Sequence, residues 1–289
     1  MIGHVASAGE ASGRVVLRLS CGSQPHVAAL EAAARIAQAF ESEIEGLFVE
    51  DHQLLDMTGY SFTREIALSG HTSRALSIDP VEEEFHAAFR SMRRQMQAVA
   101  KRYQARSYAT RVRDEPLTAL ARACARAGPW NVIVIGEPFK PRGGAALGDI
   151  LATVRDATGL VTIGPRSRRS CGPVVVVVED PERLLSMMRT AERLAAGTSG
   201  RDRIVAMLTG DNNDDLEWLE GQARLILAHG PAPRFVVAPP ARGEPAVIAE
   251  ALRQLKASFV ISRFGGLAVP ADDLRPLASA LESPLFLVR

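Results

Sequence analysis

The sequence predicts an α/β protein built from two tandem open, mostly parallel five-stranded sheets with helices on both faces. Three observations predict it. Short β-branched runs alternate with longer amphipathic or alanine-rich segments along the chain, the pattern of parallel strands joined by crossover helices. The order of elements before about residue 165 is repeated after about residue 172, and a period above roughly 100 residues means duplicated domains rather than a solenoid. The length of 289 residues suits two domains of about 150 residues each.

The elements follow in order. Arg14–Leu19 reads as a strand, Ala28–Phe40 as an alanine-rich helix and Ile44–Val49 as a second strand. An irregular segment of about Glu50–Pro80 intervenes. Val81–Tyr103 is then a long helix. Its apolar positions Phe85, Phe89, Met92, Met96, Val99 and Tyr103 step by four and three residues, which places them on one stripe. Tyr108–Arg113 is a weaker strand, Leu117–Ala127 a helix, Val132–Ile135 a buried strand, Ala145–Ala157 a helix and Leu160–Ile163 a fifth strand. Gly164–Pro173, with Arg166, Arg168 and Arg169 between two prolines, reads as a linker. The second series has strands at Val174–Val178, Ile204–Leu208, Arg234–Val237, Phe259–Ser262 and Leu285–Val288. Its helices are Pro181–Ala196, Asp214–His229, Pro245–Lys256 and Asp272–Leu281. Local matches support the repeat: Glu115-Pro116 and Glu244-Pro245 open the corresponding helices, and Thr158–Ile163 corresponds to Ser283–Val288. The expected domains are therefore 1–165, carrying the insertion, and 172–289.

Composition narrows the function. Hydrophobic residues make up 47% and charged residues 23%, a globular balance that argues against long disordered tails. Thirty-four basic against 33 acidic residues give a net charge of +1, so the composition points to no nucleic-acid partner and no acidic substrate. Met1–Gly13 lacks a basic start followed by an apolar run, and the longest apolar run, Val174–Val178, is too short to span a bilayer. No secretory leader and no membrane partner are expected. Cys21, Cys124 and Cys171 are too few and too scattered for a disulfide framework or a zinc site, which suits a reducing cytoplasm.

Three stretches carry a family likeness. Val15-Val-Leu-Arg-Leu-Ser-Cys-Gly-Ser23 resembles the first strand of the universal stress protein family, which ends in Asp-Gly-Ser. Val132-Ile-Val-Ile-Gly136 resembles its fourth strand, and Gly143-Gly-Ala-Ala-Leu-Gly-Asp-Ile150 its glycine-rich phosphate loop and following helix. With the order of elements, the chain resembles that family in its two-domain form over nearly its whole length. The resemblance implies the adenine-nucleotide alpha hydrolase-like strand order 3-2-1-4-5 in each half. It also implies a cytoplasmic stress-response role by binding or regulation, and pairing of the two closing strands as an intramolecular pseudo-dimer. A homodimer of the whole chain is a further option, and no protein partner is indicated. The implied ligand is ATP or another adenine nucleotide. Its crevice in the first half would comprise Cys21, Gly22, Ser23, Val49, Gly136, Gly143, Gly144, Gly148, Asp149 and Ile150.

The motifs are altered. Family members that bind ATP carry an acidic residue where Cys21 stands, a second glycine three residues after the first where Phe139 stands, and a hydroxyl residue where Asp149 follows Gly148. Phosphates are held by glycine N–H groups at a helix N-terminus, where the dipole is positive. A carboxylate at Asp149 caps that helix itself and repels a phosphate. In the second half, Val260-Ile-Ser-Arg-Phe-Gly-Gly266 leads to Pro270-Ala-Asp-Asp273 without a phosphate loop. Domain 1 is thus expected to keep at most a vestigial or altered pocket and domain 2 none. The alternatives are an ATP-binding or weakly hydrolysing protein of the same fold, or a redox-responsive module in which a helix dipole stabilises a Cys21 thiolate. A small residue packed at a strand end also accounts for Cys21, and Cys124, in an alanine-rich helix, reads as core.

Other features have structural readings beside functional ones. Arg90, Arg93, Arg94, Lys101, Arg102, Arg106, Arg111 and Arg113 form an acid-free stretch that suits either an anionic partner or a solvated face. Asp211-Asn-Asn-Asp-Asp215 lacks the glycine and glutamate of a calcium loop, since Leu216 and Gln222 stand there, and reads as a helix-capping turn. Glu50–Ile66, with His52 among mixed charged and apolar residues, leaves the carboxyl end of the second strand as a lid, a partner surface or packing over the first sheet. No Gly-x-Gly-x-x-Gly, Gly-x4-Gly-Lys-Ser/Thr, His-Glu-x-x-His or Gly-x-Ser-x-Gly motif occurs, and no catalytic or metal-binding set is assigned.

Overall fold

In a computed structural model the described residues are 13–20, 27–50, 52–67, 69–126, 130–136, 147–181, 183–196, 203–210, 212–226, 233–238, 245–266 and 275–289. The first half contains strands β1 (Arg14–Ser20), β2 (Glu43–Glu50), β5 (Ser107–Arg113), β6 (Asn131–Gly136) and β7 (Gly159–Ile163) in the main sheet. Its helices are α1 (Val27–Ala39), α2 (His52–Met57), α3 (Ile78–Arg102), α4 (Pro116–Ala125) and α5 (Leu147–Thr153). A separate antiparallel hairpin joins β3 (Arg64–Ile66) to β4 (Ser73–Ala75). The second half contains β8 (Val174–Val178), β9 (Ile204–Leu208), β10 (Arg234–Val237), β11 (Phe259–Arg263) and β12 (Leu285–Val288). Between them run α6 (Leu184–Ala195), α7 (Asn213–Ile226), α8 (Pro245–Gln254) and α9 (Arg275–Ala280).

The strand order β10-β9-β8-β11-β12-β7-β6-β1-β2-β5 forms one ten-stranded sheet. Within each half the order is 3-2-1-4-5, as expected. The expected two separate five-stranded sheets are corrected to one, because β7 and β12 pair antiparallel, Leu285 opposite Thr162 and Phe286 opposite Val161. Every residue of both strands is buried. Left as free edges, such apolar strands would template aggregation, and joining them covers both.

The core follows the sheet without a break between halves. One apolar layer gathers α1, α3, α6 and α7 on one face, with Ile36, Met96, Met187 and Leu219 among its buried side chains. The other gathers α4, α5, α8 and α9 on the opposite face, with Leu120, Ile150, Leu252 and Leu277. Strands buried on both faces need apolar side chains at successive positions, which is why Val174–Val178 reads as an unbroken run. Arg35 of α1 crosses between halves. It donates to Ser170 O at 3.0 Å and Ser258 Oγ at 3.4 Å, and its guanidinium lies 4.6 Å from the centre of the Phe259 ring.

Several element ends differ from the sequence reading for local reasons. α3 starts at Ile78, before Pro80, because a proline in the first turn gives up an N–H that has no helical partner anyway. Its stripe is as expected: Phe85, Met92, Met96 and Val99 are buried, and Phe89 and Tyr103 partly so. α6 starts at Leu184 rather than Pro181, because Arg183 holds a left-handed conformation with φ 62°. Asn212 caps α7 as the turn reading requires, accepting the Asp215 N–H at 2.8 Å. Glu115 caps α4, accepting the Thr118 N–H at 2.9 Å. The segment read as irregular contains α2 and the β3–β4 hairpin. Leu54 and Leu55 pack against the core, while Tyr60 and Phe62 stack on each other, exposed, with ring centres 5.5 Å apart.

Candidate functional site

In an open parallel sheet a ligand crevice forms beyond the carboxyl ends of the strands, where the strand order reverses. In the first half that place lies between β1 and β6. Ser20 at the end of β1 is in register with Val49 of β2, and one strand further Gly136 closes β6, in register with Ile163 of β7. Val49 is buried against the layer of α4 and α5, as is Ile150 of α5. Of the expected crevice residues, Gly136 therefore ends β6 at the switch point, and Val49 lies near the end of β2, one strand beyond β1. Gly148, Asp149 and Ile150 lie in α5. Cys21, Gly22, Ser23, Gly143 and Gly144 lie outside the described residues.

Asp149 stands at the start of α5, where it was expected. It is the third residue of α5, exposed and in the first turn. A carboxylate there still favours the helix dipole. It also puts a negative charge where an incoming phosphate would approach the helix start.

Beside this crevice the end of β2 carries a cluster that the sequence reading did not single out. Glu50 is buried and takes ion pairs from Arg111 and Arg113 of β5, the latter at 2.5 Å. Arg113 also pairs with Glu82 of α3 at 2.6 Å, and an Arg111 Nη atom stands 2.7 Å from a ring nitrogen of His86. Two members of the basic stretch are thus spent on a buried acid. Arg102 and Arg106 pair with Glu31 and Glu43, and Arg90, Arg93 and Arg94 are exposed. The signal was available: a glutamate ending one strand and two arginines two residues apart on a neighbouring strand share one face.

The corresponding switch point in the second half, between β8 and β11, carries an ion pair. Glu179 directly follows β8, and its side chain is 1% exposed. Arg263 ends β11, 3.8 Å from Glu179 Oε1 and 2.9 Å from Asp180 Oδ2. A Cβ at Gly266 would run into the Glu179 carboxylate, so the chain after β11 closes directly onto it. Desolvated carboxylates persist when a cation stands beside them, and here Arg263 supplies it at the two strand ends. The sequence reading looked for glycines after the fourth strand and overlooked the acids after the first.

Two cysteines can be placed. Cys124 of α4 is buried, and burial pushes its thiol up to about 12, consistent with a core role. Cys171 is exposed beyond the linker arginines. Among the described residues no cluster of His, Cys, Asp and Glu is arranged to hold a metal ion, and no helix is long and apolar enough to cross a membrane.

No protein-family model matches the chain, and no curated protein does. Solved structures do. A universal stress protein from Archaeoglobus fulgidus DSM 4304 superposes with a TM-score of 0.57 at 14% identity, covering 96% of each chain. The cytoplasmic domain of a prokaryotic cation chloride cotransporter superposes with a TM-score of 0.54 at 11% identity, covering 96% of this chain and 95% of that one. At such identities the likeness shows the fold. The chain has the universal stress protein fold along nearly its whole length, as the order of its elements, more than its motifs, leads one to expect.

Proposed function

We propose that the chain is a universal-stress-protein-like cytoplasmic protein that acts by binding or regulation rather than catalysis. It comprises two such units, 1–165 and 172–289, joined as an intramolecular pseudo-dimer through β7 and β12. An adenine nucleotide, where one binds, occupies the first unit alone, in an altered pocket beside Val49 and Gly136. One observation carries this reading: in the second half an acid and a base, Glu179 and Arg263, stand together at the ends of β8 and β11, whereas in the first half β6, the counterpart of β11, ends in the small Gly136.

Calorimetric titration of the intact chain with ATP tests the proposal, together with mass spectrometry of whatever the purified protein releases on denaturation. The expected outcome is weak binding with no more than one nucleotide per chain. Two nucleotides per chain of which neither is held by the linker arginines, or ATP turnover that survives repurification, would overturn it.

A further inference from the structure

The linker between the halves builds a basic cleft that the nucleotide reading leaves unused. Pro165, Arg166, Arg168, Arg169 and Glu282 line a hollow of about 460 Å³, within the size range of small-molecule sites. It lies where the chain leaves β7 and where α9 turns into β12. Its shape is set by the backbone: the N–H groups of Arg168 and Arg169 both donate to Glu282 O, at 3.0 and 3.1 Å, and Ser167 N–H closes a turn onto Gly164 O at 3.1 Å. The three arginines are therefore held in one loop against the opposite wall rather than scattered on a free tail.

The charge is unbalanced. Three guanidinium groups share the cleft with one carboxylate, and that carboxylate is committed to Arg169. The hydrogen bond and charge of Arg169 hold the Glu282 carboxyl below its ordinary range, with smaller effects from Arg253 and Arg166, so it stays ionised. The Arg166 and Arg168 side chains have no ion-pair or hydrogen-bond partner among the described residues. Ser167 Oγ, buried in the same loop, also has no hydrogen-bond partner among them. Guanidinium groups bind phosphate oxygens through paired N–H donors, and two in one hollow suit a ligand with several adjacent negative charges. Among the described residues no aromatic side chain lines the cleft, and so none of them offers a stacking platform for a base or a single-stranded nucleic acid.

We propose that this cleft is a binding site for a condensed phosphate chain, recognised through Arg166 and Arg168. The chain can be free, as in tripolyphosphate, or the tail of a nucleoside triphosphate. Because the walls belong to the segments just after β7 and just before β12, a bound anion also ties the two halves together.

The test is calorimetric titration of the full chain at low ionic strength with sodium tripolyphosphate and, separately, with ATP. It compares the wild type with the double variant Arg166→Gln/Arg168→Gln. Arg93→Gln/Arg94→Gln, on the exposed face of α3, removes the same charge elsewhere, and thermal unfolding verifies that each variant is folded. Expected are tripolyphosphate binding that weakens with added salt, a loss of at least about tenfold in the cleft variant, and a change within about twofold in the α3 variant. A parallel ATP loss in the cleft variant shows that the cleft accepts a nucleotide tail. Unchanged ATP binding assigns the cleft to the free chain and leaves the crevice reading standing separately. Absence of tripolyphosphate binding to the wild type at millimolar concentration, or equal losses in both double variants, overturns the proposal.

Discussion

The ring of Phe286 fills the space that a Cβ at Gly159 would need, across the antiparallel junction that fuses the two halves into one sheet. Gly159 opposes Val288 and Phe286 opposes Val161, so the ring reaches diagonally to the start of β7. A side chain at 159 must displace a buried aromatic. Gly159→Ala is expected to lower stability by about 1–3 kcal/mol through overpacking, and Phe286→Leu in that background to recover part of the loss. Urea unfolding of the single and double variants measures both. Additive losses would mean the two positions do not share the space.

Arg263 is expected to matter for stability because of what it leaves behind. Arg263→Met keeps much of the side-chain volume but removes the cation beside buried Glu179 and partly buried Asp180. Breaking a buried pair from one side costs on the order of 3 kcal/mol, whereas replacing both partners by neutral groups costs much less. Glu179→Gln combined with Arg263→Met should therefore unfold at a higher denaturant concentration than Arg263→Met alone. If the double variant is the less stable, the pair is not the reason for Arg263.

Where the chain buries both faces of a strand, its sequence announces it. Val174–Val178, Val132–Ile135 and Leu285–Val288 are unbroken apolar runs, and the α3 stripe shows its period directly. These gave the strand order once the family likeness was added. The insertion was illegible for the opposite reason. β3 and β4 have three residues each, all exposed, so neither a burial alternation nor an apolar run marks them. At the sites, Glu50 and Glu179 are not legible as buried centres because an acidic pair at a strand end, Glu50-Asp51 or Glu179-Asp180, looks like the start of a loop. What makes each of them a buried centre is an arginine brought alongside by sheet pairing, at Arg111 and Arg263, which sequence separation conceals. The merging of two sheets into one depends on β7 meeting β12, segments more than a hundred residues apart whose pairing the family likeness implies.

Alkaline pH should expose the cost of burying Cys124. Its thiol is raised from an ordinary 9.0 to about 12, by burial first and then by the charges of Asp156 and Glu45, against an opposing effect of Arg14. The fold thus favours the protonated thiol. The resulting stability is fully present below the unfolded-state value and is lost as pH rises from about 9 towards 12. Tyr108, raised by burial and by its hydrogen bond to Glu45, acts in the same direction. Denaturant unfolding between pH 8 and 11 should show a shallower alkaline decline in Cys124→Ala than in the wild type. At pH 8 a thiol reagent should label exposed Cys171 at once and Cys124 only after unfolding. Rapid labelling of Cys124 in the native protein would contradict its burial.

Asp149 sets the most direct test of the altered pocket. An acid in the first turn of α5 interacts favourably with the helix dipole, worth about 0.3–1 kcal/mol at an exposed position, and the residue is exposed. The same charge opposes a phosphate approaching that helix start, where the family's ATP-binding members carry a hydroxyl residue. Stability and nucleotide affinity should therefore move in opposite directions. Asp149→Ser is expected to lower stability by at most about 1 kcal/mol while tightening ATP binding severalfold, because a repelling anion becomes a hydrogen-bond donor. Asp149→Asn, which removes the charge with little change in size, should show most of the same gain if repulsion is the cause. The measurement is ATP titration of both variants under conditions where the Arg166→Gln/Arg168→Gln changes silence the linker cleft. If neither variant binds ATP more tightly than its parent, α5 does not face the phosphates, and the weakness of the first-half pocket must originate elsewhere along the ends of β1, β2 and β6.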